Sequence, residues 1–260
     1  MLTVRTKGRW VIAVDDTDNP EQGGTGRVAR EIAGRLAGRW PIWGVTRHQF
    51  AVLPEIPYTR NNSGNAIHLL QGPDSAEGLA EEVGGWLGEL SLEGSHPTLC
   101  VARPEVLLGC DLGRAAQKRY VHPDEARRAA DGAGVILVSL RGKDGLVGAF
   151  AGACLASQGN DGRFVERGTL RALEGEVALR ELLAAGVDEV KLGTGTSFRR
   201  PKLVPVPSFI IAERLRPALR GGKCVLYCRP DGAGRWTALA GGPDDPQKGK
   251  QPNGEPRSGA

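Results

Sequence analysis

The sequence predicts an α/β fold with α+β character, and three observations support this prediction. Residues 10–14 form a continuously apolar run, as in a strand that is covered on both faces. Short apolar runs of this kind alternate along the chain with segments of helical periodicity, which is typical of mixed α/β domains. The chain has 260 residues, of which 40% are hydrophobic and 25% are charged, so it is long enough to bury a substantial core.

The first helix is predicted over residues 25–39. Val28, Ile32 and Leu36 recur every four residues and form one apolar stripe. Thr25 is the predicted N-cap, which directs the free N–H groups of the helix start toward the polar turn before it. The other elements predicted in this half are strands over residues 48–54, 66–70 and 99–103 and a helix that Ser75 caps and that ends near residue 90.

The second half begins with a strand–helix–strand–helix pattern. Its helices are predicted over residues 122–132 and 146–155 and its second strand over residues 135–140, an order that favours a small ferredoxin-like α+β unit. A long helix over residues 169–185 is predicted from its apolar repeat. The remaining predictions are strands over residues 187–192, 204–206 and 209–212 and a hairpin that pairs residues 224–228 with residues 235–239.

These elements predict three units and a tail. We assign residues 1–95 to an N-terminal region, residues 96–165 to the ferredoxin-like region and residues 166–240 to a C-terminal α/β portion that completes the fold. Residues 241–260 are rich in Gly, Pro and charged side chains and have no apolar anchor. We therefore expect this tail to be disordered.

Composition excludes several classes of protein. No apolar run approaches the roughly 18 residues of a membrane span, and the N-terminus lacks a signal-peptide core, so we expect a cytoplasmic protein without membrane contact. The five cysteines are too few and too scattered for a disulfide framework or a paired-cysteine zinc site. The net charge of +4 permits an anionic partner such as a nucleotide or RNA without requiring one, and the oligomeric state stays open.

The strongest functional signal is the acidic turn after the first strand, which contains Asp15, Asp16, Thr17 and Asp18. Three crowded carboxylates cost free energy unless a cation lies among them, and Mg²⁺ prefers one or two carboxylates together with phosphate oxygens and waters. We therefore predict Asp15 and Asp18 as metal ligands and Asp16 as a base or further ligand. The Thr17 hydroxyl is a candidate metal ligand or phosphoryl acceptor. The alternative is a solvated surface cluster in which Thr17 caps the turn.

A glycine-rich turn leads from the acidic residues into the first helix. Gly24, Thr25 and Gly26 lie where the backbone N–H groups of a helix start can bind phosphate. The lysine and the spacing of a Walker A loop are absent from this turn. The turn is a candidate nucleotide-binding element, with a plain tight turn as the alternative.

A polar loop over residues 57–65 is the second candidate nucleotide-binding element. It contains Arg60, Asn62, Gly64 and Asn65, whose guanidinium and amide groups can bind phosphate or a nucleobase edge. The same composition is typical of a hairpin connection. His68, on the strand that follows, is predicted to be a buried core histidine because its neighbours are apolar.

Three later segments are weaker candidates for binding a small amine or an anion. Gly148 belongs to a stretch of small residues that allows the close approach of a ligand or of another element. Asp161 lies in a predicted turn and is a candidate cation-binding carboxylate. Thr194, Arg199 and Lys202 belong to a Gly/Thr-rich loop that ends in cations, a pattern typical of an anion site but also of a solvated basic loop.

Three stretches, in this order, resemble the archaeal tRNA-isoleucine 2-agmatinylcytidine synthetase family. Residues 14–20 with the Gly/Thr turn resemble its N-terminal signature, and residues 59–66 resemble its Thr-Arg-Gly-Asn-Gly-type loop with two residues more. The family's ferredoxin-like portion is similar to residues 121–126, 135–140 and 145–151. The resemblance covers residues 10–165 and is most specific in the Asp-Asp-Thr-Asp turn.

The resemblance implies a synthetase-like kinase domain joined to a ferredoxin-like α+β unit. In that family the kinase-type domain cleaves ATP with Mg²⁺, the threonine inside the motif is phosphorylated, and agmatine is joined to a cytidine of the anticodon. By resemblance, Thr17 takes the phosphoryl group, and Asp15, Asp16 and Asp18 hold Mg²⁺ and ATP. The loop around Arg60, Asn62 and Asn65 would face nucleotide, and residues 145–151 would lie near the small amine.

The chain also departs from the family pattern. The family continues into an oligonucleotide-binding domain and a zinc ribbon that hold tRNA, whereas fewer than 50 residues follow Leu215 here, without a paired Cys-x-x-Cys. The resemblance thus implies an ATP-dependent, ligase- or kinase-like enzyme that attaches a small amine such as agmatine, and these departures leave RNA open as a partner. The alternative is a non-catalytic nucleotide- or RNA-binding protein with the same fold.

Overall fold

The computed structural model describes residues 9–18, 24–56, 62–194, 197–199, 209–211 and 214–243. Its helices are α1 (Thr25–Ala37), α2 (Ala76–Leu90), α3 (Leu112–Ala116), α4 (Pro123–Ala133), α5 (Gly145–Gln158) and α6 (Leu179–Ala184). Its strands are β1 (Trp10–Asp15), β2 (Ile42–Gln49), β3 (Ser63–Leu69), β4 (Thr98–Ala102), β5 (Ile136–Ser139), β6 (Arg163–Glu166), β7 (Gly175–Val177), β8 (Glu189–Thr194), β9 (Ser197–Arg199), β10 (Phe209–Ile211), β11 (Ala218–Arg220), β12 (Lys223–Pro230) and β13 (Trp236–Ala238). Two 3₁₀ turns, Pro104–Leu107 and Leu170–Ala172, lie between these elements.

The described strands form one mixed sheet. Its order is β5–β4–β1–β3–β2–β6–β11–β12–β13–β10–β7, and β8 joins the sheet at β12 and pairs with β9. Most neighbours are antiparallel, whereas β8 runs parallel to β12 and β10 runs parallel to β13. The predicted mixed α/β fold is thus confirmed.

The first six elements have the ferredoxin-like order β–α–β–β–α–β, and their strands lie in the order β4–β1–β3–β2. The ferredoxin-like unit therefore lies over residues 10–102 and not over residues 96–165. The physical reason is strand pairing, because β4 pairs with β1 and does not begin a separate sheet. One sheet also crosses both predicted unit boundaries, because β4 pairs with β1 and β6 pairs with both β2 and β11.

Helices cover both faces of the central strands. On one face, α1 and α2 pack through apolar residues such as Ile32 and Leu87. On the other face, α5 packs against the sheet, with α3 and α4 beside it. Alternate residues of β1, such as Val11 and Ile12, enter these two cores, which explains its continuously apolar sequence. A third core, which includes Trp43 and Leu226, lies under the C-terminal strands.

Two predicted elements differ from the structure. The strand predicted over residues 48–54 corresponds to β2, which begins six residues earlier because residues 42–49 pair with β3. The long helix predicted over residues 169–185 is replaced by a 3₁₀ turn, β7 and α6. Gly175 has a φ of 70°, which interrupts helical geometry, and β7 then pairs with β10.

The remaining element predictions have mixed outcomes. The C-terminal hairpin is confirmed as β12 and β13, whereas β6, β9, β11 and α3 have no counterpart among the predicted elements. Gly24, and not Thr25, is the N-cap residue of α1. The strand predicted over residues 204–206 and residues 244–260 of the predicted tail lie outside the described residues. None of the described helices is long and apolar enough to cross a membrane.

Candidate active site

One large cleft lies at the carboxyl end of β1 and has a volume of about 770 Å³. Its wall combines the acidic turn, the start of α1, the start of α5 and two arginine-bearing segments that precede β7 and β11. A cleft of this volume accommodates a ligand of nucleotide size. The sequence-predicted acidic turn is therefore part of a real concavity.

Asp15 is the last residue of β1, and its carboxylate lies against the first turn of α5. A Cβ atom at Gly148 would overlap the Asp15 carboxylate, so the absence of a side chain at Gly148 provides the space that this carboxylate occupies. Burial and the charges of Asp16 and Asp18 raise the pKa of Asp15 well above its ordinary value, and the charge of Arg47 opposes this effect. The ionised carboxylate of Asp15 is therefore costly unless a cation approaches it.

Asp16 has a φ of 52°, in the left-handed region that residues other than glycine rarely adopt. Burial raises its pKa, although its carboxylate accepts a hydrogen bond from the backbone N–H of His96 at 3.2 Å. The Nδ1 atom of His96 lies 2.8 Å from a carboxylate oxygen of Asp144. One ligand atom from each of Asp16, His96 and Asp144 lies within 4.8 Å of the other two. The structure thus adds His96 and Asp144, which the sequence analysis missed, to the acidic end of the cleft.

Thr17 lies in a different environment from the aspartates beside it. Its side chain is only 1% exposed, it does not belong to the cleft wall, and its hydroxyl has no hydrogen-bond partner among the described residues. The backbone carbonyl of Thr17 accepts a hydrogen bond from the N–H of Leu92, which anchors the turn. The roles of Thr17 as phosphoryl acceptor or metal ligand stay predictions, and they require a ligand in the cleft to reach this buried hydroxyl.

The predicted nucleotide-binding residues that line the cleft are Gly24, Thr25, Gly26, Asn62 and Asn65. The side-chain oxygen of Asn65 is buried and has no hydrogen-bond partner among the described residues, which is the state expected of a group that a ligand completes. Gly64 lies behind the wall, where a Cβ atom would come within 2.8 Å of the Gly148 carbonyl oxygen. Arg60 lies outside the described residues.

Arginines form a second feature of the cleft that is not evident from the sequence. The wall includes Arg27, Arg30, Arg47, Arg119, Arg171, Arg214 and Arg216. Burial and neighbouring arginines lower the pKa of Arg30 and of Arg216. The cleft therefore has a carboxylate-rich region around Asp15 and an arginine-rich region around Arg30 and Arg216.

Asp161 belongs to a buried polar chain and not to the cleft. Its carboxylate accepts hydrogen bonds from Arg114 at 2.8 Å and Gln117 at 3.0 Å, and it lies 3.1 Å from Nδ1 of His48. Burial favours a higher pKa, but these partners outweigh burial and hold the pKa of Asp161 well below its ordinary value. These partners already engage the carboxylate, and the cation-binding role of Asp161 stays a prediction. His68 is fully buried, as predicted, and burial lowers its pKa to about 3.

The other candidates for an amine or anion site are dispersed. Gly148 lines the cleft beside Asp15, whereas Thr194 ends β8 and Arg199 ends β9, and neither of these two belongs to the cleft wall. Lys202 lies outside the described residues. Within the described part of the chain, the residues proposed for that site are not brought together.

The carboxylate-rich region fits Mg²⁺. Asp15, Asp16, Asp18 and Asp144 line the cleft and offer the hard oxygen ligands that Mg²⁺ prefers. The raised pKa values of Asp15 and Asp16 reflect burial and mutual repulsion, which a bound cation would relieve. The side-chain oxygen of Asn65, which has no partner within the described part of the chain, adds a neutral acceptor to the same wall.

Two solved structures resemble this fold. The complex of TiaS with its tRNA and ATP gives a TM-score of 0.50 at 21% sequence identity over 56% of this chain and 36% of that chain. A tRNA fluorescent labelling enzyme gives a TM-score of 0.50 at 21% identity over 56% of this chain and 35% of that chain. At this identity the likeness shows a partial TiaS-like fold, and this chain spans about a third of the length of those chains. No protein-family model and no curated protein matches the sequence.

Proposed function

We propose that this protein is an ATP- and Mg²⁺-dependent enzyme that activates a substrate by phosphoryl transfer so that a small, agmatine-like amine can be attached to it. The observation that carries this proposal is the placement of Asp15, Asp16 and Asp18 in one cleft with the start of α1. Carboxylates beside a helix start are suited to a cation and the phosphates it accompanies. The partial likeness to TiaS, a tRNA agmatidine synthetase, supports the same class of chemistry.

The residues of the cleft suggest separate roles. Asp15 and Asp18 would hold Mg²⁺, which neutralises phosphate charge when it is bound. Asp16, held in its left-handed conformation with the backbone N–H of His96 on its carboxylate, would act as a further ligand or base. Gly24 and Gly26 would let phosphates approach the start of α1 closely. In such reactions positioning and charge neutralisation supply most of the catalysis.

The small amine would bind at the start of α5. Gly148 and Asp144 line the cleft there. A carboxylate oxygen of Asp16 lies within 4.8 Å of one of Asp144, and His96 lies within the same distance of both. An amine that is protonated at neutral pH would be attracted by these carboxylates. This placement agrees with the expectation that residues 145–151 lie near the amine.

The alternative is a non-catalytic nucleotide- or RNA-binding protein with the same fold. The burial of Thr17 favours this alternative. The resemblance makes its hydroxyl the phosphoryl acceptor, yet the residue is only 1% exposed. The arginines of the cleft wall are also compatible with simple anion binding. The two proposals differ in whether ATP is turned over.

Mg²⁺-dependent ATP hydrolysis separates the two proposals. We expect turnover by the wild-type protein, stimulation by agmatine or another polyamine, and a loss of about 100-fold or more in Asp16→Ala. Asp131→Ala is the matched control, because Asp131 is an exposed residue of α4 outside the cleft wall. If wild type and Asp16→Ala both bind nucleotide but neither turns it over, the protein is a binding module and the enzyme proposal fails.

A further inference from the structure

We propose that the arginine-rich region of the cleft binds a phosphate group of the second substrate, separately from the phosphates of ATP. This inference rests on the proposed function and adds the chemical class of the acceptor, a phosphate-bearing molecule. The region is defined by Arg27, Arg30, Arg171, Arg214 and Arg216, all of which line the cleft. They come from α1, from the 3₁₀ turn before β7 and from the segment before β11.

The positive charge of this region is poorly compensated. Arg171 pairs with Glu166 at 3.4 Å, whereas the ion pairs of the described residues do not include Arg27, Arg30, Arg214 or Arg216. Burial, followed by the charge of Arg171, lowers the pKa of Arg30, and the charge of Glu166 only partly opposes this effect. Several half-buried guanidinium groups that repel one another are costly, and a bound polyanion removes that cost.

The arginine-rich region and the acidic end of the cleft are built from different elements. Asp15, Asp16 and Asp18 lie at the end of β1 and just after it, and Asp144 directly precedes α5, whereas Arg171 precedes β7 and Arg214 and Arg216 precede β11. After burial, the charges of other arginines lower the pKa of Arg216, so these guanidinium groups repel one another. The acidic end suits Mg²⁺ with ATP, and the arginine-rich region suits a second anion.

Phosphate is the anion that this arrangement recognises best. Guanidinium groups bind phosphate through paired, charge-assisted N–H···O hydrogen bonds, and arginine is the preferred residue for that geometry. The cleft volume of about 770 Å³ leaves room for a second ligand group beside a nucleotide. A phosphate held at Arg30 and Arg216 would fix the acceptor with its reactive group toward the acidic end, where phosphoryl transfer is proposed.

Calorimetric titration with inorganic pyrophosphate tests the assignment. Wild-type protein saturated with Mg²⁺ and a non-hydrolysable ATP analogue should still bind pyrophosphate. Arg30→Gln and Arg216→Gln should each weaken pyrophosphate binding about tenfold or more, with the affinity for the ATP analogue unchanged. Arg180→Gln, which removes an exposed arginine of α6 outside the cleft wall, should bind both ligands like the wild type.

Two results would overturn the assignment. If pyrophosphate competes with the ATP analogue, or if the arginine variants lose affinity for the analogue in parallel, the arginines hold the phosphates of ATP itself. If pyrophosphate binds equally to wild type, Arg30→Gln and Arg216→Gln, the region is not a phosphate site. Both results are independent of ATP turnover, so they are distinguishable from failure of the proposed function. Thermal unfolding verifies that both variants are folded, and for Arg30→Gln it also reports the loss of the hydrogen bond from Arg30 Nε to the Gly26 carbonyl oxygen.

Discussion

At the scale of single residues, Asp15 connects folding to function. Burial and two neighbouring carboxylates raise its pKa, so its ionised form is less stable in the folded protein than in the unfolded chain. The contribution of Asp15 to stability is therefore fully present below the unfolded-state pKa of Asp, about 4, and is lost as the pH rises through the folded-state pKa. This behaviour is the one expected if a bound cation completes the environment of the Asp15 carboxylate, as proposed.

Asp15→Asn should therefore stabilise the metal-free protein at pH 7 by about 0.5 to 2 kcal/mol, as measured by urea unfolding, while it removes ATP turnover. Asp161→Asn is the contrasting variant, because the partners of Asp161 lower its pKa. The stabilisation from Asp161 is present above the unfolded-state pKa and is lost as the pH falls below it, so Asp161→Asn should destabilise the protein at pH 7. Destabilisation by Asp15→Asn would show that its carboxylate is already satisfied by the fold.

Thr17→Val tests whether the buried hydroxyl takes part in chemistry. The hydroxyl has no partner among the described residues, so we expect valine to raise the free energy of unfolding by about 1 kcal/mol. ATP turnover should be unchanged. If intact-mass analysis detects a phosphate on the wild-type protein after incubation with ATP, the variant should carry it too. Loss of such a phosphate in Thr17→Val would instead restore Thr17 as the phosphoryl acceptor.

At the scale of elements, α5 sets the position of the acidic turn. Gly148→Ala would place a methyl group where the Asp15 carboxylate lies, so the carboxylate must move. A displacement of about 1 Å costs roughly 100-fold in rate at a catalytic site, and we expect a loss of ATP turnover of that order. Gly152→Ala, on the same helix, is the control, because its Cβ atom would meet Ala13 at an ordinary 3.8 Å. Wild-type turnover by Gly148→Ala would exclude this role of α5.

The elements also show how far sequence patterns lead. The apolar run of β1 and the four-residue repeat of α1 are local signals, and both elements form where they are predicted. The helix predicted over residues 169–185 fails because a glycine with positive φ and a strand pairing with β10 override the apolar repeat. The strand β2 begins before its predicted start, where Thr46 is polar in the sequence yet hydrogen-bonds to the buried His48 and His68 inside the protein.

At the scale of the whole molecule, some residues of the candidate site are neighbours in the sequence and others come from distant parts of the chain. Asp15 to Asp18 and Gly24 to Gly26 are close in sequence, so their chemistry was readable as a motif. His96, Asp144, Arg171 and Arg216 reach the same cleft only through the pairing of distant strands, and no local pattern marks them. Arg27 and Arg30 lie one turn apart on α1, but the arginines from the other segments reach the cleft only in the folded chain.

The dependence of nucleotide binding on Mg²⁺ tests the central claim most directly. The claim is that Asp15 and Asp18 hold a divalent cation together with the phosphates of ATP. Calorimetry with a non-hydrolysable ATP analogue should show affinity that Mg²⁺ raises about tenfold or more in the wild type. In the double variant Asp15→Asn/Asp18→Asn the affinity should no longer respond to Mg²⁺. Equal affinity with and without Mg²⁺ in the wild type, or the same response in the double variant, would contradict the account.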